Sequence, residues 1–157
     1  GADLQVGNFS ISALFQGNAQ ADRYLDGISI KPFWDDEGRD NVFANITDRW
    51  RADNPTNQDV FYPRLSVGSD GNNNNVKPSS WWVKDVSFLR LKQVNISYTL
   101  PKKWTDPLLI KNAQIYLMGT NLLTFSKFKL WDPELNTSNG TAYPNVSSYS
   151  IGLKFNF

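Results

Sequence analysis

The stretch Tyr149 to Phe157 alternates without exception. Tyr149, Ile151, Leu153, Phe155 and Phe157 are apolar, and Ser150, Gly152, Lys154 and Asn156 between them are not. A strict period of two predicts a strand with one apolar and one wet face. Alone, it suits either the edge of a soluble β-sandwich or a transmembrane barrel strand, which needs roughly 9–11 tilted residues. The alternation recurs upstream. Over 6–21, Phe9, Ile11, Ala13 and Phe15 share one side, and only Leu14 interrupts the polar side. Over 84–100, Val94, Ile96, Tyr98 and Leu100 alternate with Asn95, Ser97 and Thr99. Leu89 and Leu91 fall in the opposite parity there, which asks for a bulge or for inward packing. Over 112–124, Ala113, Ile115 and Leu117 carry the apolar side, while Tyr116, Met118 and Leu122 spoil the polar one. The fourth strand spans 147–157.

The connections are unequal. Residues 101–111 make a short turn, 125–146 a polar loop, and 22–83 an excursion of about sixty residues, where loops beyond about 12–15 are uncommon in compact domains. Within the excursion one short helix is expected near 40–51, capped by Asp40, with Val42, Phe43, Ile46 and Trp50 on one face and Asn54-Pro55 ending it. Antiparallel order puts the two long loops on one side and the turn on the other. That asymmetry, with short periplasmic turns and long outer loops, belongs to outer-membrane barrels. The expected fold class is all-β, and the asymmetry favours four antiparallel strands of a transmembrane β-barrel with long extracellular loops over a β-sandwich.

Composition narrows the chemistry. Sixteen Lys plus Arg stand against fifteen Asp plus Glu, so there is no electrostatic case for nucleic acid. The absence of His removes the commonest general base and metal ligand. The absence of Cys removes thiol chemistry and disulfides. With no supported carboxylate pair either, the chain reads as a non-enzyme without cofactor or metal. No run of about 18 apolar residues occurs, which excludes a spanning helix and leaves a barrel untouched.

From Ser80 onward a series of motifs stands in order: Val86-Ser87-Phe88-Leu89-Arg90-Leu91-Lys92, Ile96-Ser97-Tyr98-Thr99-Leu100-Pro101, Ile115-Tyr116-Leu117-Met118-Gly119-Thr120-Asn121-Leu122, Asp132-Pro133-Glu134, Tyr143-Pro144 and the terminal strand. Upstream stand Arg49-Trp50, Asn54-Pro55 and Tyr62-Pro63-Arg64-Leu65. This series resembles the C-terminal portion of SusC/RagA-type TonB-dependent outer-membrane transporters of the Bacteroidetes. Trp131 before Asp-Pro-Glu departs from the pattern, where a smaller residue or Tyr is usual. The resemblance implies the last four strands of a large, plugged barrel in the cell outer membrane. It also implies partners: the rest of the barrel and plug, outer-membrane lipid, a SusD-like surface lipoprotein, TonB acting through a region outside this chain, and an oligosaccharide ligand. Peptides or siderophores are the alternative cargo for the same architecture. A soluble carbohydrate-binding β-sandwich is the alternative of another class.

Candidate site residues follow. Trp34, Trp131 and Asp132 are candidate ligand contacts, because flat aromatic faces and neighbouring carboxylates suit sugar rings. Phe33 and Trp50 share the aromatic character, although Trp50 also fits the helix face. Asp35-Asp36-Glu37 with Asp40 offers oxygen ligands but no EF-hand spacing, and reads as a solvated turn. Trp81, Trp82, Trp104 and Tyr149 lie at expected strand ends, as an interfacial girdle would. Tyr149, Ile151, Leu153, Phe155 and Phe157 resemble the terminal signal read by barrel-insertion machinery.

Overall fold

The computed structural model describes residues 1–27, 30–33, 42–66 and 74–157. Its strands are β1 (Ala2–Val6), β2 (Phe9–Asn18), β3 (Asp22–Tyr24), β4 (Val83–Asp85), β5 (Phe88–Thr99), β6 (Asn112–Ser126) and β7 (Ser148–Asn156). A single turn of α-helix, α1, covers Lys102–Thr105. The chain divides into two compact units: residues 1–21, 86–134 and 143–157 form one, and 22–85 with 135–142 the other. No helix among the described residues is long and apolar enough to cross a membrane, which says nothing of a β-barrel.

The first unit is an antiparallel sheet in the order β1-β2-β5-β6-β7. It has five strands where the alternation predicts four, because the stretch 6–21 begins inside a hairpin. Val6 pairs with Phe9 across a two-residue Gly7-Asn8 loop, and Gly7 has φ +57°. That loop favours glycine in its first position and matches the twist of the flanking strands. The Asn8 side chain donates to the Thr99 carbonyl (2.8 Å), and the Thr99 N–H donates back to the Asn8 carbonyl (2.8 Å). These two bonds tie the hairpin end to β5.

A bulge resolves the parity conflict in β5. Phe15 pairs with Leu91 and Leu14 with Gln93, so Lys92 has no opposite residue on β2. On the other flank, Leu91 pairs with Leu123 and Gln93 with Thr120. Asn121 and Leu122 are thus extra on β6, and Asn121 takes φ +52°. Leu89 and Leu91 consequently share a face with Val94, Ile96 and Tyr98. The cross-strand register extends this face through Leu4, Phe9, Ile11, Phe15, Ile115, Leu117, Ile151 and Leu153.

No described residue covers most of that face. Ile151 is 78% exposed and Phe9 43%, while Ile11, Leu91, Val94 and Ile96 are half-buried among their neighbours on the sheet. A monomeric soluble protein rarely exposes a contiguous apolar patch beyond a few hundred Å². The opposite face carries Ser10, Ser12, Gln93, Asn95, Ser97, Gln114 and Ser150. Gln114 Nε2 donates to Ser97 Oγ (3.0 Å) on it. Tyr116, anomalous by pattern, belongs to this face for a packing reason. It pairs with Gly152, and its ring lies where a Cβ at position 152 would stand. Similarly, Leu122 folds over Gly119.

The second unit is held by a small aromatic core. β3 and β4 form a two-stranded ribbon, and Leu25, Ile30, Tyr62 and Trp82 are buried. Trp82, in a 3-10 turn over Ser80–Trp82, is 1% exposed and donates through Nε1 to the Asn75 carbonyl (3.0 Å). Trp81 donates to the Phe61 carbonyl (3.0 Å). These two tryptophans therefore pack a loop unit and do not form an interfacial girdle. The indole N–H finds a backbone acceptor in each case, which makes burial affordable for a large ring.

The helix expected near 40–51 is reduced to a 3-10 turn over Ala44–Thr47, with no side-chain cap; Asp40 lies outside the described residues. Beyond Asp48 the chain extends to pair with the other side of the loop. Tyr62 N–H donates to the Asp48 carbonyl (3.0 Å) and Trp50 N–H to the Tyr62 carbonyl (2.9 Å). Those bonds consume the backbone groups that a longer helix would use. Burial, with Asp48 nearby, pushes the Tyr62 hydroxyl up to about 12.

Candidate functional site

Two features of the first unit carry the candidate function: the uncovered apolar face, and a charged anchor on the wet face. The anchor starts with Arg90. The β5 register puts it on the wet face, where it is 2% exposed. A guanidinium so buried needs partners, because an unpaired buried charge is costly. Both partners lie in the 127–147 loop. Arg90 Nη2 donates to Asp132 Oδ1, and its Nε lies 3.5 Å from Glu134 Oε2.

The loop presents the two carboxylates by a local device. Asp132 Oδ1 accepts the Glu134 N–H (3.0 Å), closing a turn around Pro133. Glu134 then gathers Lys92 Nζ (3.0 and 3.1 Å), Gln16 Nε2 (3.2 Å) and Asn145 Nδ2 (3.0 Å). The bulged Lys92 thus closes a network that links β2, β5 and both ends of the loop. Burial alone would raise the Asp132 carboxyl. The Arg90 bond, the Glu134 N–H and Asn145 overcome that and hold it below the usual carboxylate range.

The expected ligand contacts separate here. Trp34 lies outside the described residues, as do Asp35, Asp36, Glu37 and Asp40. Trp131 packs edge-to-face on the buried Phe128, with centroids 5.0 Å apart and planes at 81°. Asp132 is engaged by Arg90. Trp50 donates through Nε1 to the Pro55 carbonyl (3.1 Å), within its own loop. Pattern reading missed Arg90 and Lys92. Their signal was present as two cations two residues apart on a membrane-type strand, with an Asp-Pro-Glu turn to receive them.

The terminal strand keeps its expected place. Tyr149, Ile151, Leu153 and Phe155 lie on the apolar face, opposite Gly119, Leu117, Ile115 and Ala113. Phe157 follows β7, with an exposed side chain, and its carbonyl accepts a bond from Lys111 Nζ (3.1 Å).

Comparison with known proteins places this geometry. No family model matches the chain. It is 32% identical over 166 residues to TonB-dependent receptor P26 of Formosa agariphila, and 27% identical over 168 residues to TonB-dependent receptor P3 of that organism. These alignments take in 98% and 99% of the chain but 16% of each relative. Among solved structures it is similar to the RagAB peptide importer in its closed-closed state (TM-score 0.71, 26% identity, 94% of this chain, 16% of that one). The open-open state of that importer gives a TM-score of 0.66 at 25% identity, over 96% of this chain and 16% of that one.

Proposed function

Given that the chain belongs to the SusC/RagA type of TonB-dependent transporters, as a C-terminal segment, we propose that it builds barrel wall and outer loops of an outer-membrane importer. The observation that carries this reading is the sheet with one uncovered apolar face and one polar face. In lipid every backbone group needs a partner, so a spanning sheet has to close on itself. The free edges of β1 and β7 then continue into the rest of the barrel. The apolar face meets lipid, and the polar face looks toward the lumen and plug. The 101–111 connection is periplasmic, and 22–83 and 125–146 lie outside. Import is energised by TonB, acting through a region outside this chain. A SusD-like surface lipoprotein delivers the ligand. Tyr149, Ile151, Leu153, Phe155 and Phe157 serve as the assembly signal. The segment itself performs no catalytic step.

For cargo, oligosaccharides are the first reading, with Trp34 and Trp131 as aromatic contacts and Asp132 positioning the loop that carries Trp131. Peptides are the second. Two observations favour them: a solved neighbour is a peptide importer, and the Trp131 ring is already packed against Phe128. Purified full-length receptor with its lipoprotein, offered mixed oligosaccharide and peptide pools, separates the two by what co-purifies. Retention of peptides alone would overturn the glycan reading. The wall itself is tested with Ile151→Cys and Ser150→Cys in outer-membrane vesicles. A water-soluble maleimide should label position 150 and spare position 151, and equal labelling would sink the barrel assignment.

A further inference from the structure

The connection between β5 and β6 has features that a plain turn does not need. Trp104 is 56% exposed, Leu108 67% and Leu109 87%. Leu109 holds φ +56°, a conformation that glycine or asparagine adopts more cheaply. The chain thus keeps a large apolar side chain at a position that favours a small residue. Just before these groups stand Lys102 and Lys103, both exposed, and Lys103 Nζ lies over the Trp104 ring (5.8 Å). Asp106 is the one acidic residue of the connection, and Lys111 is engaged with the Phe157 carbonyl.

The base of this element is firm. Thr105 is buried, its hydroxyl donates to the Lys102 carbonyl (3.3 Å), and Ile110 N–H donates to the Thr105 carbonyl (3.2 Å). Its position is also defined. It leaves β5 just after Tyr98 and enters β6 just before Ile115, where the sheet's apolar face ends. A rigid knuckle with aromatic, leucine and lysine side chains at the rim of a lipid-facing surface matches a membrane boundary chemically. The ring and leucines suit the acyl–headgroup zone, and the ammonium groups suit phosphate.

We propose that the 101–111 connection is a membrane-surface anchor, with Trp104, Leu108 and Leu109 immersed in the adjoining phospholipid leaflet and Lys102 and Lys103 on its phosphates. This rests on the barrel reading above. The test uses full-length receptor in phosphatidylethanolamine–phosphatidylglycerol vesicles, spin-labelled in turn through Leu109→Cys, Ile151→Cys and the loop control Thr141→Cys. Collision with oxygen and with a water-soluble nickel chelate then reports immersion. A label at 109 that is oxygen-accessible and nickel-protected, as at 151 and unlike 141, is the expected result. If 151 is immersed and 109 behaves like 141, the anchor is refuted while the barrel stands. If 151 is not immersed, the barrel reading fails and the anchor with it. In a Lys102→Gln/Lys103→Gln background the label at 109 should sit measurably shallower. An unchanged depth would overturn the phosphate contact.

Discussion

Replacing Arg90 by alanine leaves the Asp132 carboxylate facing an empty, mostly dry site. Removing one partner of a buried ion pair typically costs about 3–5 kcal/mol, most of it from the stranded charge. Two features lower that figure here. Asp132 and Glu134 keep 11% and 22% of their side-chain surface in solvent, and Glu134 keeps Lys92 at 3.0 Å. A cost of about 2–4 kcal/mol follows, borne by the anchored loop because the strands keep their ladders. Hydrogen exchange on the full-length receptor reads this directly, since the loop opens locally. Amides of 127–134 and 143–147 should exchange roughly 30- to 700-fold faster, at about 1.4 kcal/mol per factor of ten. Arg90→Lys, which keeps the charge but loses the fork, should fall between. Unchanged exchange in Arg90→Ala would refute the anchor, since Asn145, the other side chain that holds Asp132 among the described residues, carries no charge.

The Asp132 carboxyl is depressed in the fold, so its stabilising contribution is full above its unfolded value of 3.8 and disappears as pH falls through the lower, folded value. Loop exchange, corrected for intrinsic rates, should therefore accelerate below pH 4, and Asp132→Asn should abolish that acceleration. Gly17→Ala would put a Cβ 2.5 Å from the Phe88 carbonyl oxygen, a backbone atom that cannot swing away. A loss of about 1–3 kcal/mol is expected, seen as a lower unfolding temperature of the purified receptor. Ile151→Arg on the apolar face should cost roughly 2–4 kcal/mol near mid-membrane, whereas Ser150→Arg, one residue away, should be tolerated. Similar membrane-assembled yields for the two would contradict the facing.

The terminal strand was fully legible, because its alternation is unbroken and its partner β6 carries the same period. β5 was legible only as a pair of alternatives. Its parity changes at Lys92, and choosing the bulge requires knowing that Phe15 faces Leu91 while Leu14 faces Gln93. The hairpin at Gly7-Asn8 was hidden because Gly7 falls on the apolar parity and so prolongs the pattern that it ends. Trp81-Trp82 misled because an indole near a strand start suits a headgroup boundary or a small core equally well. What separates the two is an acceptor such as the Asn75 carbonyl, which no pattern reveals. Asp132 stood out by motif, but its partner Arg90 lies 42 residues earlier and is found only through the sheet register. Aromatic and charged residues were thus recognised as special, while their roles depended on pairings distant in sequence.

The extra residue at Lys92 has a bearing on how such a strand tolerates changes in length. Deleting Lys92 would bring Leu91 and Gln93 next to each other, as their partners Phe15 and Leu14 already are on β2. Leu89 and Leu91 would then fall in one parity with Val94, Ile96 and Tyr98, so both halves of β5 would keep their facing in a regular strand. The loss would be the ammonium group on Glu134, not the orientation of the strand. Deleting Asn95 instead would make Val94 and Ile96 adjacent and turn one of them to the aqueous side. Single-codon deletions a few positions apart should therefore differ sharply in severity, with the bulge as the tolerant site.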